Sequence, residues 1–86
     1  MIWAPKARGV LLEFFARLAA RDAAAAESLR ERLDGALRRI EVGAMLHITL
    51  VLPDGRVVYR VSVPPLTVTY ERGPRDVVIL QVTTAT

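Results

Sequence analysis

Eighty-six residues, 52% of them hydrophobic, suffice for one small core and leave no room for a second domain. The net charge is +3 and the pI about 10.2, and the absence of cysteine excludes both a disulfide framework and a thiolate metal site, which suits the cytoplasm. No run approaches the roughly 18 uninterrupted apolar residues of a membrane span, and MIWAPKARG lacks the basic-then-apolar order of a signal peptide, so the chain reads as soluble.

In chain order, Ile2 and Trp3 precede Pro5 and are expected as a brief strand, with Trp3 in the core. Lys6 to Arg21 reads as an amphipathic helix, because Leu11, Phe14, Phe15 and Leu18 recur at i, i+3, i+4 and i+7. Asp22 is placed to cap a second helix running to about Val42, with Ala26, Leu29, Leu33, Ala36, Leu37 and Ile40 as its apolar stripe and Gly43 as its stop. Almost no linker separates the two, so residues 5–42 should form an antiparallel helical hairpin.

Residues 44–83 change period from 3.6 to 2 and become rich in Val, Ile, Leu, Thr and Tyr. Leu46–Leu52 and Arg56–Val63 flank Pro53-Asp54-Gly55, a tight reversal. Pro64-Pro65 interrupts the next ladder, and Leu66, Val68 and Tyr70 then alternate with Thr67, Thr69 and Glu71. The last run, Val77 to Val82, is apolar on both faces and is expected to be the most buried strand. The apolar face of this sheet needs a cover, and the helical hairpin is the candidate.

The chemical inventory is short. One His and no His-x-x-x-His spacing argue against a metal site, and the five glycines are isolated, so no phosphate-binding loop is present. A Ser62–His47 nucleophile pair has nothing to position it, and His47 alone reads as a partly exposed strand residue. If the first two long strands pair, His47, Thr49, Arg56, Arg60 and Ser62 share the less apolar face of the hairpin. Two arginines near a histidine could grip a phosphodiester and move a proton; the alternative is a solvated sheet face. The helical arginines are interleaved with acids, as on a solvated helix surface.

Ile2-Trp3 with Ala7, the second-helix positions Asp22, Ala26, Leu29, Leu33, Ala36 and Ile40, and the strands Leu66-Thr67-Val68-Thr69-Tyr70 and Val77 to Val82 carry a resemblance. Over nearly its whole length the chain resembles the RelE/ParE toxin superfamily, the small bacterial toxins of type II toxin–antitoxin modules. The resemblance implies a single α+β domain over residues 1–86: an N-terminal αα-hairpin on a mainly antiparallel sheet of about four strands, with a short N-terminal strand. It implies a cytoplasmic toxin neutralised by a cognate antitoxin, with no cofactor and no metal. Strand edges that need covering also allow a homo-oligomer.

Two activities come with the family. RelE-like members cleave mRNA on the ribosome with basic residues on the central strands, an Arg before the Tyr-containing strand pattern, and a basic or aromatic tail. Here Arg60 matches the central-strand position, Thr67 stands where the second Arg is expected, and the tail is Thr83-Thr84-Ala85-Thr86. The strand-like Leu46–Leu52 also replaces a family loop. Under the endonuclease reading the site would be His47, Arg56, Arg60 and Tyr70. The departures favour the ParE-like reading, inhibition of DNA gyrase by protein binding, with no catalytic residue. A non-toxic interaction module of the same fold is the third reading.

Overall fold

A computed structural model describes residues 1–43 and 48–84. The elements in order are β1 (Ile2–Trp3), α1 (Pro5–Arg21), α2 (Ala23–Glu41), β2 (Ile48–Val51), β3 (Val57–Val63), β4 (Leu66–Arg72) and β5 (Val77–Thr84). Five strands form one mixed sheet in the order β1-β5-β4-β3-β2, with β1 parallel to β5 and every other pair antiparallel. Two helices on this sheet make the expected α+β fold, with the short N-terminal strand present. No described helix is long and apolar enough to cross a membrane.

The helices form where their sequence dictates. Pro5 opens α1, where its missing N–H costs nothing. Asp22 ends α1 and starts α2: its extended backbone breaks the first helix, and its Oδ1 accepts the Ala25 N–H at 3.0 Å. Asp22→Ala should therefore cost about 1 kcal/mol of stability by removing that cap, read as a lower urea midpoint with an unchanged slope. A loss under a few tenths would show that the hairpin turn is held by packing alone. At the far end of α2, Gly43 takes a φ of +73°, open to glycine without strain. The Arg72 guanidinium donates to the Ile40 carbonyl and ties that terminus to β4.

Burial follows the sheet order. Ala26, Leu29, Leu33, Ala36 and Ile40 recur at spacings of three and four along α2 and are all buried. Leu29, Leu33, Ala36 and Ile40 meet Val61 and Val63 of β3, Leu66, Val68 and Tyr70 of β4, and Val77, Ile79 and Val82 of β5 in one core. The most buried strand is β4, not β5 as its composition suggested: Leu66, Val68 and Tyr70 are all fully buried. The reason is position. β4 is the middle strand of five, whereas β1 pairs with β5 only at Val78 and Ile79, and Gln81 and Thr83 of β5 are exposed. Trp3, expected inside, is partly buried against the core at the β1 edge. In α1 only Ala7 is fully buried; Leu11, Phe14, Phe15 and Leu18 pack against the core while staying partly exposed.

Turns set the register. Gly55, at φ +88°, donates to the Leu52 carbonyl at 2.9 Å, and Leu52 donates to the Arg56 carbonyl at 2.8 Å. Val63 pairs with Leu66 around a cis Pro64–Pro65 peptide, so the two prolines join β3 to β4 in a tight turn. Between β4 and β5 the pairing slips at Thr69 and Tyr70, leaving Leu80 as the extra residue of a bulge.

Candidate functional site

The helices cover one face of the sheet. The other, helix-free face shows its side chains in cross-strand rows fixed by the pairing: Arg60 beside Thr69 and Gln81, and Ser62 beside Thr67 and Thr83. These hydroxyl, amide and guanidinium groups are exposed or half-buried. The threonines of β4 thus keep a β-favouring shape while facing away from the core.

Of the residues that sequence reasoning grouped, only some come together. Arg56, Arg60 and Ser62 lie on the helix-free side. Thr49 does not: it pairs with Tyr59, whose ring packs on the core side, so the register of β2 turns it to the other face. Tyr70 also lies on the helix side, fully buried, with its ring stacked on Tyr59 at 5.3 Å between centroids. Burial pushes the Tyr70 phenol above its ordinary value of 10.0, with the nearby Arg72 charge opposing. His47 lies outside the described residues.

The two arginines differ in setting. Arg56 is held: its Nε donates to Asp54 Oδ2 at 2.9 Å and its guanidinium meets Glu71 Oε2 at 3.3 Å. The Arg56 backbone N–H, bonded to Asp54 Oδ1 at 3.0 Å, and then its guanidinium hold the Asp54 carboxyl below the usual range. Arg60 is exposed and makes no hydrogen bond or ion pair with a described residue. Among the described residues no group of His, Asp or Glu could hold a metal ion.

A second feature was not anticipated residue by residue. Because Leu52 hydrogen-bonds to Arg56, alternation along the ladder turns the main-chain groups of Leu50 and Ile48 towards β3 and those of Thr49 and Val51 outward. The outer edge of β2 is therefore a row of main-chain donors and acceptors. Val51 pairs with Val57 across the β2–β3 ladder, and the two are 70% and 39% exposed. Sheet edges are normally blunted by charge, proline or a bulge, and Ile48-Thr49-Leu50-Val51 has none of these. The sequence signal was that uncharged run; its place at the edge came only with the strand order.

Further basic groups ring the helices. Arg32 donates to the Pro64 carbonyl at 3.0 Å, Arg30 lies over the Phe15 ring at 5.7 Å, and Arg17 pairs with Glu13. Searches with this chain match no family model, no curated protein and no solved structure.

Proposed function

We propose that this protein is a toxin of a type II toxin–antitoxin module that acts by binding another protein, in the manner of ParE-like gyrase inhibitors, and that a cognate antitoxin neutralises it. The observation that carries this reading over the endonuclease reading is the division of the named residues between the two faces of the sheet. Arg60 faces outward beside Thr69, while the Tyr70 phenol is sealed in the core on the opposite face. A proton-transfer group must come within hydrogen-bond reach of the atom it serves, and Tyr70 cannot reach a phosphodiester gripped by Arg60. Arg56 is already engaged by two carboxylates. What the surface offers instead suits recognition: an unblunted strand edge with an exposed valine pair, and a basic excess spread over the helices. The RelE/ParE resemblance supplies the biological class, and gyrase is its corresponding target.

Controlled expression in a bacterial host tests it. Induction should arrest growth, purified protein should inhibit gyrase supercoiling, and Arg60→Ala should leave both effects within about threefold, a change worth about 0.65 kcal/mol. Ribosome-dependent mRNA cleavage that disappears in Arg60→Ala would transfer the assignment to the endonuclease. Unimpeded growth with folded protein in the cell would leave the interaction-module reading.

A further inference from the structure

We propose that the groove between the first turns of α1 and the bulged part of β5 is a binding site for a small amphipathic anion, of the class of medium-chain carboxylates. The chain's own geometry opens this groove. β1 follows β5 only as far as Ile79, because Ala4 donates to the Ile79 carbonyl at 2.9 Å and the chain then leaves the sheet into α1. From Leu80 onward β5 has α1, not a strand, at its side, and the bulge at Leu80 bends it there. The resulting groove has a volume of about 370 Å³ and runs from α1 onto the helix-free face as far as β3 and the β2–β3 turn. That size and a largely apolar lining with a few polar groups match the usual small-molecule site.

The lining specifies the ligand class. Val10, Leu52, Val58 and Leu80 supply hydrocarbon walls for an aliphatic chain. The polar groups are Lys6, Thr69 and Gln81, the last two facing each other across β4 and β5. Lys6 is the one ionisable side chain among the described lining residues, so it sets a solvent-exposed positive charge beside the apolar walls. A carboxylate can take a charge-assisted hydrogen bond from Lys6 while its tail displaces water from the walls. A cation of the same length meets Lys6 as a like charge. This inference stands apart from the toxin reading, since none of these residues serves it.

Titration of the isotope-labelled full chain with sodium octanoate, 1-octanol and octylammonium, followed by amide chemical shifts, tests the site. Octanoate should saturate with a dissociation constant of about 1 mM or below, moving the amides of Lys6, Val10, Val58 and Leu80. Octylammonium should bind at least about tenfold more weakly, and Lys6→Glu should weaken octanoate by about tenfold while leaving octanol unchanged. Lys6 is exposed, so that variant keeps the fold. Octanoate that fails to saturate, shifts clustered elsewhere, or equal affinity for octanoate and octylammonium would overturn the proposal. So would a partner polypeptide that fills the groove and must be removed before octanoate binds.

Discussion

Tyr70→Ala should lower the unfolding free energy by about 3–5 kcal/mol, the range for deleting a buried aromatic ring. A small domain has only roughly 5–15 kcal/mol in total, so this variant should be partly unfolded at moderate temperature. Tyr70 is 0% exposed on the central strand, and its ring stacks on Tyr59 at 5.3 Å with planes 24° apart. Offset aromatic pairs add about 0.5–1.5 kcal/mol beyond area burial, so truncation removes both the hydrophobic term and the stack and leaves a cavity in the core. Tyr70→Phe keeps ring volume and stack and should lose far less. Urea unfolding measures both; a Tyr70→Ala loss below about 1 kcal/mol, outside the range for a ring in a rigid core, would mean that the helices collapse onto the gap.

That result would also bear on function, since the same residue was a candidate in the endonuclease reading. A substitution that destroys the fold also abolishes any activity, so a loss seen with Tyr70→Ala says nothing about catalysis. Arg60 is the informative position, because its side chain is exposed and has no partner among the described residues that its removal would strand.

Local chemistry made much of this legible in the sequence. Pro5, Asp22 and Gly43 bound the helices because each imposes a backbone geometry or supplies a cap through local chemistry alone. The α2 stripe was readable because its spacing of three and four residues admits one buried face. What was not readable depends on long-range order. The composition of Val77 to Val82 says that both faces meet apolar surface, but not that β1 would cover only Val78 and Ile79 of it. Alternation places Thr49 with Arg60 only in one hairpin register; in the observed pairing Thr49 faces Tyr59 and Ile48 faces Arg60, and a slip of one residue reverses every side chain. The groove beside Leu80 could not be foreseen, since a bulge inside an uninterrupted apolar run leaves no Gly or Pro to mark it.

Leu29→Ala should cost about 2–5 kcal/mol, whereas Leu12→Ala on the outer side of α1 should stay within about 0.5 kcal/mol of the parent. Both residues are leucines in helices of the same hairpin, so propensity changes equally in the two variants and cannot account for the difference. Burial can: Leu29 is 1% exposed and belongs to the core that α2 shares with β3, β4 and β5, while Leu12 is 60% exposed. The pair also asks whether helices and sheet unfold together. β4 has its apolar residues pressed against the hairpin and polar residues on its other side, so it has no second core to retain if α2 detaches. Amide exchange in Leu29→Ala should therefore lose the same free energy of protection at Leu33 and Ile40 as at Val68 and Ile79, as a single cooperative unit requires. Protection kept in β4 but lost in α2 would instead make the sheet a stable body on its own, with the hairpin as a detachable cover. In that case a partner could compete with α2 for the apolar face of the sheet, and recognition would not be confined to the surface of the folded domain.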